Sequence, residues 1–95
     1  RQLKEYLKNV EPFQQDGRWG LRVMNDIIVN PIYSYISDFK GDYAECRIGM
    51  QRCLYGLLDR RGNIILPPEY KYIYRWNEHS VEVQGNDGYS RTIEL

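Results

Sequence analysis

Short apolar runs bounded by turn residues recur along this 95-residue chain, and beyond Pro31 and Pro67 tyrosines alternate with other residues at period two, the spacing expected of β-strands with two differently used faces. The clearest stretch is 54–66, in which two apolar arms flank a polar turn. Gly62 suits the left-handed position of a three-residue hairpin turn, and Asp59 suits the first position, where its carboxylate can accept backbone N–H groups. The pattern predicts a β-hairpin.

A less regular copy of this stretch lies upstream, at residues 18–36. Each copy opens on an aromatic residue followed by glycine, at Trp19 and at Tyr55, and each ends in an apolar run, a proline and tyrosines. The copies are offset by 36 residues before the proline and by 37 beyond it, and we assign the extra residue to Pro68. A period of this length is typical of tandem supersecondary units.

A third strand follows in each unit. Residues 43–48 and 80–84 alternate apolar and polar positions, and glycine-containing turns return the chain to the next unit. We therefore predict a single all-β domain of tandem three-stranded antiparallel repeats that form an open stack or sheet rather than a closed barrel, because repeat units contact chiefly their neighbours. The predicted division of residues 1–95 is a helical lead-in at 1–12, repeat 1 at 16–51, repeat 2 at 52–87 and the first strand of a third repeat at 88–95.

The lead-in is predicted to be a short amphipathic helix that seals the front of the stack. Pro12 ends this helix, because proline has no N–H to donate within a helix. The apolar residues with the spacing of one helix face are Leu3, Tyr6, Leu7 and Val10.

The motifs of the two units are Trp19-Gly20, Tyr55-Gly56, Gly62, Ile65-Leu66-Pro67-Pro68 with Tyr70, and Phe39-Lys40-Gly41-Asp42-Tyr43-Ala44. They resemble those of WG-repeat proteins, whose units open on Trp-Gly or Tyr-Gly, carry a glycine-bearing turn, and continue through an apolar run into proline, tyrosine and a Phe-x-x-Gly-x-Ala stretch. The resemblance covers about residues 13–95 and departs at Asn25-Asp26, which replaces the glycine turn. It implies a β-repeat of mostly bacterial proteins that mediates interactions and has no shared catalytic residues.

The charge balance argues against two classes of partner. Lys plus Arg number 13 and Asp plus Glu number 13, so no net field attracts nucleic acid or an anionic membrane. We interpret the one basic doublet, Arg60-Arg61, as an exposed turn tip. No apolar run approaches the roughly 20 residues that span a bilayer. We expect neither nucleic-acid binding nor membrane insertion.

Few side chains offer catalytic chemistry. His79, the only histidine, lies in a predicted loop, and no serine stands on a strand-to-helix elbow to use it as a base. The chain has no phosphate-binding glycine loop and no paired Cys-x-x-Cys motif. We expect no enzyme activity and no cofactor.

The two cysteines leave three interpretations open. Cys46 and Cys53 flank Gly49-Met50, and if those two residues form a tight loop, Cys46 faces Cys53 across a hairpin. The pair would then be a hydrogen-bonded one, in which the side chains diverge. The alternatives are a disulfide, a zinc site and two thiols packed in the core.

Nine tyrosines and two tryptophans supply much of the apolar content. The aromatic residues at the unit starts, Trp19, Tyr55 and Tyr89, are expected to pack between neighbouring units. The aromatic residues that follow the prolines cannot all be buried in a protein of this size, so some must stand on an outer face. The candidate binding residues on that face are Tyr33, Tyr35, Tyr70, Tyr72 and Trp76.

From these features we expect a non-catalytic interaction module, a protein-binding or scaffold segment of a larger protein. Its partner would be another protein, or a second copy joined through unpaired edge strands. The alternative is a carbohydrate-binding module in which the tyrosine face stacks on sugar rings.

Overall fold

Short strands dominate residues 2–95, the part of the chain that this computed structural model describes, with side chains described from Glu5 onward. The prediction of an all-β repeat protein with a short N-terminal helix is confirmed. In chain order the elements are α1 (Gln2–Leu7), β1 (Val10–Gln15), β2 (Arg18–Val23), β3 (Asp26–Tyr33), β4 (Tyr35–Ile36), β5 (Tyr43–Ile48), β6 (Leu54–Asp59), β7 (Ile64–Tyr70), β8 (Tyr72–Trp76), β9 (Ser80–Gln84) and β10 (Ser90–Glu94).

The helix is shorter than the predicted lead-in. It ends at Leu7, and Val10 begins β1, which pairs with β2 along its whole length. This pairing buries Val10 opposite Val23, and Pro12 is accommodated because β1 is an edge strand. The prediction of helix as far as residue 12 was therefore wrong. The predicted packing of Leu3 and the start of the lead-in at residue 1 lie outside the described residues and side chains.

The strands form three antiparallel sheets. Sheet 1 has the order β1-β2-β3, sheet 2 has β4-β5-β6-β7, and sheet 3 has β8-β9-β10. Strand β5 belongs to predicted repeat 1 and β6 to repeat 2, yet they pair without interruption from Tyr43↔Asp59 to Ile48↔Leu54. The sheets are therefore out of phase with the sequence repeats.

Two bent segments connect the sheets. Strands β3 and β4 are separated only by Ser34, whose N–H donates to the carbonyl of Arg47 at 2.9 Å. Strands β7 and β8 are separated only by Lys71, whose N–H donates to the carbonyl of Gln84 at 2.9 Å. Each segment thus pairs in one sheet with its first half and in the next sheet with its second half.

Two hydrophobic layers hold the stack together, and sheet 2 contributes to both. Leu57 and Leu58 are adjacent on β6 and fully buried, and because neighbouring strand residues point to opposite faces, each enters a different layer. The first layer contains Val10, Leu21, Val23, Tyr33, Ile36, Ala44, Cys46 and Leu58. The second contains Leu57, Leu66, Ile73, Val81 and Val83.

The glycine of each aromatic–glycine motif lies beneath a bulge in the neighbouring strand. The register of β6 with β7 shifts after Tyr55, as does that of β2 with β3 after Trp19. A Cβ atom on Gly56 would lie 2.4 Å from the carbonyl oxygen of Leu66, and one on Gly20 would meet a carbonyl oxygen at 2.3 Å. Only glycine leaves room for the bulge, and the bulge in turn accommodates prolines that cannot donate to a ladder.

The extra residue of the second repeat lies in its hairpin turn. The backbone nitrogen of Pro31 lies against Gly20, and the backbone nitrogen of Pro68 lies against Gly56 in the same way, so the two prolines are structurally equivalent. Their offset along the sequence is therefore the same as that of the strand residues on either side of them. The β2–β3 turn contains two residues and the β6–β7 turn contains three. Our assignment of the extra residue to Pro68 was wrong, because a solvent-facing turn changes length with less disturbance than a paired strand does.

The predicted chemistry of the second turn is present. Gly62 has a φ of 85°, and Oδ1 of Asp59 accepts the N–H groups of Arg61 at 2.9 Å and Asn63 at 2.8 Å. In the first turn the left-handed residue is Met24, with a φ of 54°, rather than the Asn25-Asp26 pair that we placed at this position.

Candidate interaction surface

A line of contacting side chains crosses all three sheets. The ring centroids of Trp19 and Tyr35 are 5.3 Å apart, those of Tyr55 and Tyr72 are 5.2 Å apart, and those of Tyr72 and Tyr74 are 5.1 Å apart. We call this line the aromatic strip. Its members are Trp19 on β2, Tyr35 on β4, Arg47 on β5, Tyr55 on β6, and Tyr72 and Tyr74 on β8.

The centre of the strip follows from the register of sheet 2. Arg47 lies opposite Tyr35 on one side and opposite Tyr55 on the other, so the three side chains share a face. The guanidinium carbon lies 4.6 Å from the centroid of each ring, a cation–π contact on both sides. Arg47 therefore joins the aromatic pair of the first repeat to that of the second.

Glu45 fixes the charge and position of Arg47. The Nε group of Arg47 donates to Oε2 of Glu45, and the Glu45 side chain lies among the few polar groups buried in the stack. Partial burial lowers the pKa of Arg47, but the hydrogen bond and the charge of Glu45 outweigh that effect and leave the pKa raised. Burial raises the pKa of Tyr55, and the Arg47 charge only partly opposes it. At neutral pH the strip thus holds a permanent cation beside a neutral phenol.

The strip becomes more exposed toward sheet 3. The side chains of Tyr72 and Tyr74 are 44% and 48% exposed, whereas Trp19, Tyr35 and Tyr55 are half-buried. The rings of Tyr72 and Tyr74 are inclined at 70° and those of Tyr55 and Tyr72 at 54°. The exposed end is therefore an uneven aromatic surface rather than a flat platform.

A cleft of about 640 Å³ opens between the β5–β6 loop and the β7–β8 junction, and Tyr55 is the member of the strip that lines it. Arg52 and Lys71 contribute two positive charges to its wall, and Gln51 and Asn86 contribute amide groups. No carboxylate lies among the residues that line it. The cleft can therefore accept an acidic group next to Tyr55.

The five predicted binding residues do not form one surface. Tyr35 and Tyr72 lie in the strip. Tyr33 is only 4% exposed and belongs to the first hydrophobic layer, because it lies on the face of β3 that sheet 2 covers. Tyr70 is half-buried against the second layer, and Trp76 is half-buried with its Nε1–H donated to the carbonyl of Lys40 at 3.1 Å.

Sequence reasoning missed Arg47 as a member of the surface and assigned Tyr55 to packing alone. The signal that would have found them is the strand register. Once Ile48 is paired with Leu54, Tyr55 falls directly opposite Arg47.

Tyr89 does not repeat the packing of Trp19 and Tyr55. It is 72% exposed, and Ser90 rather than Tyr89 pairs with Gln84, which takes the place of Arg47 in sheet 3. The expectation for Tyr89 was therefore wrong, because the β9–β10 loop shifts the following strand by one residue relative to the sequence motif.

The two cysteines are free thiols. The β5–β6 loop runs from Gly49 to Cys53 instead of closing around two residues, so Cys46 faces Gly56 and the predicted Cys46–Cys53 pairing was wrong. Cys46 is fully buried in the first layer, while the half-buried Cys53 donates its S–H to the carbonyl of Gly49 at 3.0 Å. Of the three interpretations, two separate thiols describe the structure, and Cys46 alone is a core residue.

Arg60 is more than an exposed turn tip. Its Nη1 group lies 3.3 Å from the carbonyl of Leu7 and its Nε group 3.1 Å from that of Gly41, and the guanidinium carbon lies 4.8 Å from the Phe39 ring centroid. Arg60 therefore ties α1 to the β6–β7 turn. His79 is exposed, and its backbone N–H donates to Asn77.

Among the side chains described, from Glu5 onward, no group of three or more His, Cys, Asp or Glu residues is placed to hold a metal ion. Among the described residues 2–95, no helix is long and apolar enough to cross a membrane.

The repeat geometry recurs in both units: an aromatic–glycine pair under a proline-containing bulge, then an aromatic ring that packs on the first. The family model for the WG containing repeat matches residues 24–49 and 55–78, just over half of the chain. The chain belongs to the WG-repeat family. In this WG-repeat protein the matched segments contain the bent strands β3–β4 and β7–β8 that link the sheets. No curated protein and no solved structure matches the chain.

Proposed function

We propose that this WG-repeat chain is a non-catalytic interaction module that binds a protein partner through the exposed end of the aromatic strip. The observation that carries the proposal is the continuity of the strip from Arg47 to Tyr74 across two sheets. Tyrosine and arginine are enriched at the centres of protein interfaces, because tyrosine offers a large contact area at low cost in conformational entropy and arginine offers several hydrogen-bond donors.

The cleft beside Tyr55 supports an acidic partner segment. Arg52 and Lys71 face it without a carboxylate among the lining residues, so an acidic side chain of the partner gains two charge contacts there. A segment that carries an acidic residue next to aromatic or aliphatic residues would fill the cleft beside Tyr55 and extend over Tyr72, which packs on Tyr55, and over Tyr74.

A display library of random peptides, selected against the purified chain, tests this proposal. The enriched peptides should be acidic and apolar, and should bind at least about tenfold more weakly to the Tyr72→Ser/Tyr74→Ser variant, the loss expected when interface hot spots are removed. Tyr89→Ser is the matched control, because Tyr89 is more exposed than either strip tyrosine yet lies outside the strip. Equal loss of binding in both variants would contradict the proposed site.

A carbohydrate ligand is the alternative that the exposed tyrosines support. Sugar rings stack on flat aromatic faces, and the 70° inclination between Tyr72 and Tyr74 offers one ring face at a time rather than a platform. A glycan array probed with the same variants separates the two functions. Glycan binding that is lost in Tyr72→Ser/Tyr74→Ser and retained in Tyr89→Ser would replace the protein-binding proposal with the carbohydrate one.

A further inference from the structure

Within residues 2–95, strand β10 is paired on one side only. Its single partner is β9, from Gln84↔Ser90 to Ser80↔Glu94. The corresponding strands β2 and β6 each lie between two partners. All residues of β10 except the half-buried Ile93 are exposed. Such an edge presents backbone groups that can extend a sheet.

Hydrogen bonds at both ends of β10 identify the groups that face outward. The N–H of Gly85 donates to the carbonyl of Tyr89 at 2.9 Å, and the N–H of Leu95 donates to the carbonyl of His79 at 2.8 Å. In an antiparallel ladder alternate residues bond to a given neighbour, so the odd-numbered residues of 89–95 bond toward β9. The N–H and C=O groups of the even-numbered residues, at positions 90, 92 and 94, therefore face the open side.

The open edge does not suit a bulged strand such as β3 or β7. Arg91 pairs with Val83 as Gly56 pairs with Cys46, so Arg91 occupies the position of the motif glycine. A Cβ at that position would lie 2.4 Å from the carbonyl oxygen of a neighbour bulged like β7. Arg91 thus excludes the bulged strand of another WG unit, and the partner that fits is a regular strand.

We propose that β10 pairs with β10 of a second copy of this chain, antiparallel about a two-fold axis at Thr92. In this register Thr92 faces the partner's Thr92 and Ser90 faces the partner's Glu94, so all the outward backbone groups are used. Arg91 faces the partner's Ile93, and no two like charges are directly opposed. Paired threonines are favourable cross-strand neighbours. The symmetry closes the assembly at a dimer rather than a fibre.

The dimer is expected to be weak, because five residues from each copy bury far less than the roughly 1,600 Å² of a standard protein interface. Sedimentation equilibrium of the chain from micromolar to millimolar concentration should show monomers and dimers. In a dilution series of ¹H–¹⁵N spectra, the amide signals of Ser90, Thr92 and Glu94 should shift most.

Two pairs of variants test the strand pairing and its register. Thr92→Pro removes an outward N–H and should abolish dimerisation, whereas Thr92→Val keeps the N–H and should dimerise. Ser90→Glu places a carboxylate opposite the partner's Glu94 and should weaken the dimer about fivefold, while Ser90→Lys should strengthen it by a similar factor, since two such pairs form per dimer. Amide exchange in β9 reports whether sheet 3 is intact in each variant.

Three outcomes would overturn the proposal: a chain that stays monomeric at millimolar concentration, dimerisation that survives Thr92→Pro with β9 protected, or equal dimer affinity in Ser90→Glu and Ser90→Lys. The last result would show that the copies meet on another surface.

Discussion

Cys46 occupies the position that Val83 fills in the second repeat, and both side chains are fully buried. Burial, with a smaller contribution from the charge of Glu45, raises the pKa of the Cys46 thiol from 9.0 to about 12. The thiol therefore stays neutral in the folded protein at pH values where the unfolded chain already ionises.

The Cys46 thiol should therefore lower the free energy of unfolding at alkaline pH. Because the folded pKa is raised, the stabilisation is complete below about pH 9 and is lost as the pH rises through the folded pKa near 12. We expect Cys46→Val to lack this loss. Between pH 7.5 and pH 10.5, the free energy of unfolding should therefore fall by about 2 kcal/mol more in the wild type than in the variant. Urea denaturation at the two pH values measures the difference.

Parallel pH profiles of the two proteins would contradict a buried, neutral Cys46. Cys53→Ser is the matched control for this measurement. Its thiol is half-buried in a loop, and the substitution should leave the pH dependence of the wild type in place.

At the residue scale, the sequence predicted the residues of the β6–β7 turn well, but not the left-handed residue of the β2–β3 turn or the length of the β5–β6 loop. Asp59 and Gly62 carry side-chain and backbone requirements that are local, so their roles are readable from neighbouring residues alone. The β5–β6 loop has a glycine at its first position that suits a two-residue turn, but the chain uses three more residues before pairing resumes. The length of this loop depends on which face of β6 points into which hydrophobic layer, and the packing of the whole stack determines that orientation.

At the scale of the strand, the aromatic–glycine motif is a steric requirement of the bulged neighbour. We expect Gly56→Ala to lower the free energy of unfolding by more than about 3 kcal/mol, because the new Cβ would lie 2.4 Å from a backbone carbonyl oxygen that other strand contacts hold in place. Chemical denaturation followed by circular dichroism measures this loss.

Gly88→Ala separates the steric effect from backbone strain. No heavy atom lies within 4 Å of the added Cβ, and only the φ of +88° disfavours alanine, at a cost of about 1–2 kcal/mol. If Gly56→Ala were no more damaging than Gly88→Ala, the bulge would have to be mobile enough to move away from the strand beneath it.

Strand positions were more predictable than strand partners. The segments 43–48 and 80–84 were expected as strands and form β5 and β9, because alternation along one strand is a local property. The phase of the sheets was not predictable from the repeat. Two repeat units are equally similar wherever the start of a unit is placed, so the repeat does not show where a sheet begins. The chain passes from one sheet to the next at Ser34 and Lys71, and neither residue has a chemistry that marks this change in the sequence.

At the scale of the whole molecule, the same ambiguity hid most of the aromatic strip. Tyr35 and Tyr72 were predicted to be surface residues from composition, but the strip depends on Arg47 between rings of two different repeats. Reading the sequence one repeat at a time places Arg47 and Tyr55 in different units, whereas sheet 2 contains strands of both repeats and brings these two residues together.

Sheet 2 also determines how the stack should respond to destabilising substitutions in its two hydrophobic layers. Leu58 packs only in the first layer and Leu57 only in the second, although they are neighbours in the chain. We expect Leu58→Ala and Leu57→Ala each to cost about 2–5 kcal/mol, as buried leucine truncations do. In a stack of units that contact mainly their neighbours, the loosening should be directional.

Hydrogen exchange resolved by residue measures that direction. Leu58→Ala should accelerate exchange in sheet 1, over 10–33, more than in sheet 3, and Leu57→Ala should do so in sheet 3, over 72–94, more than in sheet 1. Since the two substitutions are chemically identical and adjacent, each is the control for the other. Uniform acceleration in both variants would mean that the three sheets open as one cooperative unit, and that the two layers transmit damage through sheet 2 as efficiently as a single core would.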